Sequence, residues 1–360
     1  MAGALSLSDI LHRDRNSFDL VRLVAALAVI FGHSFYLFET GGFPEPVTMV
    51  VQNNFSGTLA VGVFFFLSGI LVSRSMISGD PLRFLAMRSA RILPGLVVCA
   101  ALVCFVLGPA VSTLPLAGYF RTGVPQCVFW DEVLLFPRDG CLSLPGVFEG
   151  ARAGPSPNGS IWTLGPEVIC YCYVFVAGLF GLLTSRWFIA AGIALLVLVH
   201  ALWPSVIPYF SDIGYTDKLK VAMFFGAGVM AFGFRDVLKL RAWPCLPLVL
   251  LAVATSSSPV SEYTLYAALF YCVLVLSGWP VLMRVRLPGD FSYGIYIYGW
   301  PIQQAAAHFF PGLTSYPSNL VTLPLALMFG VASWFLVERP VLRAVASRFG
   351  RGLRPGEAGA

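Results

Sequence analysis

The sequence predicts an all-α protein, a polytopic membrane bundle of about ten transmembrane helices with both termini in the cytoplasm. Of its 360 residues, 58% are hydrophobic and 11% are charged, whereas about a quarter of the residues in a soluble domain are charged. Apolar blocks recur along the whole chain, many near the length of about 20 residues that spans a bilayer. Lys and Arg are concentrated in alternate connections between these blocks, as membrane topology requires.

The apolar blocks define ten predicted spans, of which the seventh is the shortest. They are 18–38, 57–73, 92–111, 167–183, 187–204, 218–234, 245–258, 264–282, 291–310 and 318–338. No small-residue cleavage site follows the first block. We therefore expect it to be retained as a helix and not removed as a signal peptide.

The distribution of Lys and Arg tests this arrangement. With the termini and every second loop in the cytoplasm, 17 of the 23 basic residues lie on the cytoplasmic side and 5 on the other, and Arg22 lies inside the first span. The positive-inside rule requires such an asymmetry. We expect residues 1–345 to form one transmembrane domain of a multi-pass inner-membrane protein, followed by a basic cytoplasmic tail at 346–360. The net charge of +5 is then explained by the cytoplasmic Lys and Arg residues. We expect membrane lipids, and not nucleic acid, as partners.

One long connection, residues 112–166, is rich in Pro and Gly and is predicted to lie outside the cytoplasm. It holds Cys127 and Cys141, whereas the other six cysteines lie in or beside spans. Because an extracytoplasmic compartment is oxidising, we predict a disulfide between these two. The sequence has no CxxC pair and no metal-ligand spacing, so no metal is expected.

The first span carries two polar side chains, Arg22 and His33, that are costly inside a membrane. They are eleven residues apart, which in a helix is about three turns and a rise of about 16 Å, so both lie on one face. Asp19, three residues before Arg22, can pair with it. Either the two residues line a shaft into the bundle, or Arg22 reaches the interface and His33 bonds a neighbouring helix.

Two further segments carry charge beside predicted spans. Arg88 and Arg91 lie one helical turn apart in the second cytoplasmic loop, beside a helix start. Guanidinium groups suit phosphate, although positive-inside charge alone would also explain them. Glu167 follows Pro166 near the start of the fourth span, where a carboxylate either serves chemistry or only favours the helix dipole.

These segments, in this order, resemble the membrane-bound acyltransferase-3 family of sugar O-acyltransferases. The similarity runs from residue 18 to residue 340. The matching motifs are Phe18-Asp19-Leu20-Val21-Arg22 with His33, Val63 to Gly69 with Ser68, Arg88-x-x-Arg91-Ile-x-Pro94, Trp162-Thr-Leu with Glu167, Ser292-Tyr293-Gly-Ile-Tyr296 through Trp300-Pro301, and Glu338-Arg339-Pro340. The chain departs from the pattern at Gly299, where many members have a histidine, and we expect it to lack the hydrolase-like domain that some members append.

The resemblance implies an acyl-CoA donor, usually acetyl-CoA, reached from the cytoplasm, and a hydroxyl acceptor, usually on a sugar of the cell envelope. His33 is then the catalytic base, because imidazole has a suitable pKa. Arg22 would bind a donor phosphate or act at the thioester, and Glu167 would orient His33 or the acceptor. Arg88 and Arg91 would bind the phosphates of CoA, and their loss would weaken donor binding more than folding.

The aromatic residues of the motifs are candidates for contact with the acceptor sugar, although helix packing and interfacial belts also explain them. They are Trp162, Tyr293, Tyr296 and Trp300. The other histidines, His12, His200 and His308, have no motif support and are expected to be interfacial or solvated.

Two other functions suit a bundle with buried polar residues. A transporter or flippase for an envelope glycan or its precursor is the main alternative, but the sequence lacks the inverted repeats and paired broken helices typical of transporters. A non-catalytic partner in an envelope-polysaccharide complex is the other, and the intact motif series disfavours it. A transferase is therefore the predicted function.

Overall fold

The computed structural model of the chain is helical, and no β-strand occurs in residues 5–12, 16–51, 54–135, 141, 143–203 and 215–350, which the structure describes. The predicted all-α class is confirmed. Of the Lys and Arg residues in the count of 23, Arg13, Arg15, Arg138, Arg351 and Arg354 lie outside the described residues, as does the whole segment 351–360 of the predicted tail.

The described residues form short and long α-helices along the chain. They are α1 (Leu7–Ile10), α2 (Phe18–Leu37), α3 (Ser56–Ile77), α4 (Pro81–Leu102), α5 (Gly108–Val111), α6 (Leu116–Arg121), α7 (Val124–Leu134), α8 (Leu164–Leu179), α9 (Arg186–Leu202), α10 (Tyr215–Gly233), α11 (Cys245–Ala254), α12 (Ser261–Ser277), α13 (Ser292–Phe309), α14 (Ser315–Ser333) and α15 (Arg339–Arg348). A π-helical turn, Val103–Leu107, joins α4 to α5, and another, Trp334–Glu338, joins α14 to α15.

Helices α2–α4 and α8–α14 each overlap one predicted span. Among the described residues, five uninterrupted helical segments are long and apolar enough to cross a membrane. They are Phe18–Leu37, Ser56–Ile77, Pro81–Val111, Ile161–Leu179 and Ser315–Arg348. The number of crossings and the side of the termini therefore stay predictions.

Helix α4 begins eleven residues earlier than the apolar block that predicted it. Asp80 caps its N-terminus by accepting a hydrogen bond from the Leu82 backbone N–H at 3.0 Å, and Pro81 occupies the first turn, where its missing N–H costs nothing. The expectation that Arg88 and Arg91 lie in a loop is wrong, since both lie inside α4. Hydropathy predicted only the apolar part of this helix, whereas the helix begins at the residue that follows the Asp80 cap.

The first half of helix α13 lies inside the bundle, since every residue from Phe291 to Pro301 is buried. It runs parallel to α2, because Asp290, just before α13, meets Arg22 while Trp300 meets His33. It runs antiparallel to α14, where a Cβ added at Gly294 would lie 2.9 Å from the Gly330 Cα. Small residues allow such close approach between membrane helices.

The described residues of the long connection 112–166 pack against the rest of the bundle. Helix α7 packs on α4, and a disulfide joins Cys127 to Cys141 with 5.8 Å between the Cα atoms. Farther on, Asn158 Nδ2 donates to the Ile297 carbonyl oxygen at 2.9 Å, and the Tyr296 hydroxyl donates to the Ser160 carbonyl at 2.8 Å. The segment from Gly154 to Thr163 thus lies along α13 inside the bundle.

The N-terminal segment packs against the connection after α10. The Leu7 N–H donates to the Leu238 carbonyl and the Leu240 N–H donates to the Leu5 carbonyl, at 3.0 and 2.8 Å. The Ser17 N–H donates to the Ser277 carbonyl at the end of α12. These contacts bring the N-terminus and two predicted cytoplasmic connections to one end of the bundle.

Candidate active site

Two arginines of different helices share one carboxylate oxygen at this end of the bundle. Arg22 Nη1 of α2 and Arg91 Nη2 of α4 each lie 2.6 Å from Asp290 Oδ2, just before α13. Arg91 Nη1 also bonds Glu338. We call these four residues the arginine cluster. Because buried charges are tolerated only when paired and hydrogen-bonded, the cluster fixes α2, α4, α13 and the end of α14 relative to each other.

Glu338 lies on the π-helical turn before α15 and is fully buried. Pro340 has no N–H to bond the carbonyl one turn earlier, and such a missing bond is one way in which a helix widens locally. The Ser333 hydroxyl donates to Glu338 Oε1 at 2.8 Å, while Oε2 accepts from Arg91. Both carboxylate oxygens are therefore used inside the protein.

Arg88 differs from Arg91, although only three residues separate them. Its guanidinium lies 5.9 Å from the ring centroid of Tyr171, and its buried Nε has no hydrogen-bond partner. No carboxylate within 4 Å pairs with Arg88 in the described part of the chain. Arg88 is therefore the arginine of this motif that remains available to an anion.

Glu167 forms a second polar group with residues of α3 and α8. Its Oε1 accepts from the Tyr171 hydroxyl at 2.6 Å and from the Ser68 hydroxyl at 3.1 Å, and the two hydroxyls lie 3.2 Å apart. No hydrogen bond joins the described side chains of Glu167 and His33. Of the two roles predicted for Glu167, orienting His33 has no contact to support it.

A cavity of about 50 Å³ lies between these groups, and we call it the arginine cavity. Its polar lining includes Arg22, Ser68, Arg91 and Glu167. Phe64, Thr163 and Tyr296 also line it. Since Tyr296 lies one helical turn before Trp300 on α13, the cavity extends along α13 toward the level of His33.

His33 lies farther along α2, away from the arginine cavity. Its ring packs edge-on against Trp300, with 5.1 Å between centroids, and lies 6.0 Å from Phe55. Its Nδ1 is buried without a hydrogen-bond partner, while the residue as a whole is half-buried. Arg22 and His33 both face α13, as their spacing predicted, and lie three turns apart along it.

The aromatic candidates occupy different surroundings. The Tyr293 hydroxyl donates to the Ile92 carbonyl at 2.7 Å, so its polar end is used in packing α13 on α4. Tyr296 lines the arginine cavity, and Trp300 contacts His33. Trp162 is 44% exposed and lines neither this cavity nor the second one described below.

Gly299 has a steric explanation in this chain. A Cβ at this position would lie 2.8 Å from Ile30 Cγ1 and 3.0 Å from Cδ1, closer than packed carbon atoms approach. Position 299 therefore packs against α2, and the space that a histidine would need is filled by Ile30.

Sequence reasoning missed the two carboxylates of the arginine cluster. The sequence shows Glu338 as part of a motif, and a charge at the end of an apolar helix indicates that it has a partner but not which one. Asp290 precedes Ser292 at a helix start and accepts its N–H at 3.2 Å, so by sequence it resembles an ordinary cap. No local signal indicates that its other oxygen bonds two arginines.

Among the described residues, five helical segments long and apolar enough to cross a membrane surround a buried arginine cluster, which indicates a membrane protein with a buried polar site. The chain belongs to the family described as "Acyltransferase domain", whose match covers residues 15–339. The family predicted from the motifs, and with it an O-acetyltransferase, is confirmed.

Two relatives are similar to the chain over nearly their whole length. An "O-acetyl transferase" of Shigella phage Sf6 is 30% identical over 342 residues, which cover 91% of this chain and 96% of the relative. "Nodulation protein 10" of Rhizobium leguminosarum bv. viciae is 26% identical over 371 residues, covering 94% of this chain and 96% of the relative. No solved structure matches the chain significantly.

Proposed function

We propose that the protein transfers an acetyl group from acetyl-CoA, bound from the cytoplasm, to a hydroxyl of a sugar or glycoconjugate of the cell envelope. The observation that carries this proposal is the shared face of α2: Arg22 lies beside a cavity at one level, and His33 lies three turns farther along α13. A long, anionic donor with a reactive distal thioester suits such an arrangement. The similarity to an O-acetyl transferase supports acetyl as the transferred group.

The donor's phosphates are assigned to Arg88. This arginine lacks a carboxylate partner among the described residues, and charge-assisted hydrogen bonds to phosphate are among the stronger ones in proteins. Arg91 has its guanidinium bonded to Asp290 and Glu338, so its role is to hold the arginine cluster together. Arg22 lines the cavity and serves either a donor phosphate or the thioester.

His33 is assigned as the general base. Its imidazole takes the proton from the acceptor hydroxyl while the oxygen attacks the thioester carbonyl carbon. A C–O bond forms, the C–S bond breaks, and the leaving thiolate takes the proton back from the imidazolium to give free CoA thiol. General base catalysis typically contributes about 10²–10⁴-fold in rate.

Glu167 is assigned to the donor side of the reaction. Its bonds to Ser68 and Tyr171 place its carboxylate beside the cavity, and Tyr171 in turn lies under Arg88. Glu167, Ser68 and Tyr171 therefore form a hydrogen-bonded surface beside the cavity, and the pantetheine part of the donor would lie against it. Tyr296 lines the cavity and Trp300, one turn farther along α13, contacts His33.

The proposal includes the membrane topology. The protein lies in the inner membrane with both termini in the cytoplasm and residues 112–166 outside. The docking of the N-terminal segment on the connections after α10 and α12 supports a common side for these segments, all of which carry or adjoin cytoplasmic Lys and Arg in the predicted topology.

Replacing His33 by Gln tests the proposal. The purified His33→Gln protein is expected to bind acetyl-CoA like the wild type but to transfer radiolabelled acetyl to envelope glycans about 10²–10⁴-fold more slowly, since Gln cannot take the proton. The control is His12→Gln, in the N-terminal segment, with unchanged rate. Near-normal turnover of His33→Gln would remove His33 as the base, and wild-type protein that acetylates no glycan would overturn the function.

A further inference from the structure

A second cavity, of about 290 Å³, lies at the other end of α13. We call it the vestibule. It is bounded by the end of α2, the segment 148–152 of the long connection and the end of α13. Its lining mixes polar and aromatic side chains, among them Glu39, Phe148, Arg152, Gln304 and His308. Sites for drug-sized ligands run from about 300 to 1,000 Å³, so the vestibule suits a ligand at the small end of that range.

Gln304, one of the residues that line this cavity, has a buried acceptor without a donor. Its Nε2 donates to the carbonyl oxygens of Gly154 and Ser156 at 3.0 and 3.1 Å. These two acceptors determine which end of the amide is the nitrogen. Its Oε1 is buried and has no hydrogen-bond partner, and the residue is 1% exposed. A buried acceptor without a donor is unfavourable, and a hydrogen bond from a ligand hydroxyl would remove that penalty.

One carbonyl oxygen links the vestibule to His33. The Ser156 carbonyl accepts from Gln304 Nε2 and from Trp300 Nε1, both at 3.1 Å. Trp300 in turn packs edge-on against the His33 ring. The vestibule therefore begins one helical turn beyond the side chain that contacts the proposed base, and it lies on the opposite side of His33 from the arginine cavity.

The charges at the vestibule favour an uncharged ligand. Arg152 pairs with Glu39 at the rim, where both side chains are about half or more exposed. Glu149 also lines the cavity and is exposed. Two carboxylates against one guanidinium disfavour an anionic ligand such as a uronic acid. The His308 ring lies against Phe148 at 6.0 Å, which adds flat apolar surface for the C–H face of a ring.

We infer that the vestibule is the acceptor subsite and binds one neutral pyranose of the acceptor glycan. Gln304 Oε1 accepts a sugar hydroxyl, the Glu39–Arg152 pair contacts hydroxyls at the rim, and the aromatic side chains contact the apolar face. This inference rests on the proposed function, because it takes the ligand to be the acceptor of acetyl transfer.

Filling the vestibule tests the inference. Ala307 lines it, and Ala307→Phe places an aromatic ring in the cavity without removing a polar contact. The control is Gly192→Phe on α9, where a Cβ meets no atom within 4 Å. Rates of acetyl transfer from acetyl-CoA are measured with methyl glucoside, methyl rhamnoside, methyl N-acetylglucosaminide and methyl glucuronide as acceptors, beside purified envelope glycans.

Ala307→Phe is expected to raise the KM for the preferred glycoside about tenfold or more, with the KM for acetyl-CoA unchanged. Glu39→Gln, a rim variant that removes only an exposed pair, is expected to raise the glycoside KM severalfold and keep the melting temperature. An unchanged glycoside KM in both variants overturns the inference alone. A preference for methyl glucuronide would contradict the assignment of a neutral sugar to the vestibule. Wild-type protein that acetylates no acceptor overturns the proposed function and this inference with it.

Discussion

The indole of Trp300 packs edge-on against the imidazole of His33, with 5.1 Å between the ring centroids. Trp300 Nε1 is held by the Ser156 carbonyl at 3.1 Å, so the long connection sets the position of the indole and the indole sets the position of the imidazole. The orientation of His33 in α2 thus depends on the segment around Ser156, more than a hundred residues away in sequence. The predictions below concern this arrangement and the arginine cluster at the other end of α13.

Membrane-impermeant maleimide is expected to label Cys127 and Cys141 from outside intact spheroplasts only after reduction. The reason is that the two thiols are joined in a disulfide and that residues 112–166 are predicted to be extracytoplasmic. Mass spectrometry of the labelled peptides measures both points. The matched control is the Cys127→Ser, Cys141→Ser double variant, which should gain no label on reduction. Labelling without reduction would exclude the disulfide, and labelling only in inverted vesicles would reverse the topology.

Arg88→Gln is expected to impair donor binding, whereas Arg91→Gln is expected to destabilise the protein. Loss of Arg88 should raise the KM for acetyl-CoA by roughly tenfold or more, as expected for a charged hydrogen bond, while the melting temperature stays near that of the wild type. Loss of Arg91 leaves Asp290 and Glu338 without their shared partner, and breaking a buried ion pair typically costs about 3–5 kcal/mol, so that variant should melt lower or express poorly.

A truncated donor separates the phosphate role of Arg88 from a structural one. S-acetylpantetheine carries the thioester without the nucleotide phosphates, so Arg88→Gln should use it as well as the wild type does. An equal loss of rate with both donors would contradict phosphate binding by Arg88.

Glu132 on α7 is expected to make stability depend on pH. Burial raises its pKa from 4.5 to about 8, and its Oε2 is buried without a hydrogen-bond partner. Because the folded pKa lies above the unfolded one, the stabilisation by the bound proton is complete below about pH 4.5 and is lost as pH rises through about 8. Between these values, each pH unit costs at most about 1.4 kcal/mol.

Glu132→Gln should therefore flatten the dependence of melting temperature on pH and melt higher than the wild type at about pH 9. Thermal unfolding in detergent measures this, with the exposed Glu149→Gln as the control variant. Parallel curves for wild type and Glu132→Gln would show that the carboxyl is ionised in the folded protein without penalty.

Gly299→Ala is expected to destabilise the protein by about 1–3 kcal/mol, the usual cost of overpacking, because its Cβ would lie 2.8 Å from Ile30 Cγ1. Gly192→Ala, with open space around its Cβ, is the control for the change of residue type. In the double variant Gly299→Ala, Ile30→Ala, the loss of stability should be smaller than the sum of the losses in the two single variants, since the two side chains compete for one space. Additive effects in the double variant would refute that explanation.

The sequence by itself determined which apolar segments are helical and which family the chain belongs to. Apolar blocks and ordered motifs are local features, and a span such as 18–38 needs only its own residues to be recognised. The common face of Arg22 and His33 was predictable for the same reason, because helical geometry fixes the angle between residues eleven apart. The pairing of Cys127 with Cys141 followed from their isolation in one predicted exposed connection.

Only the tertiary structure decided what each polar side chain meets. Arg88 and Arg91 look equivalent in the motif, yet three residues turn a helix by about 300°, so Arg91 reaches Asp290 and Glu338 whereas Arg88 lies over Tyr171. Glu338 is 247 residues from Arg91 in sequence. Partners at such separations are chosen by how the helices pack, through contacts such as Gly294 on Gly330 and Gly299 on Ile30, and no local pattern in one chain specifies them.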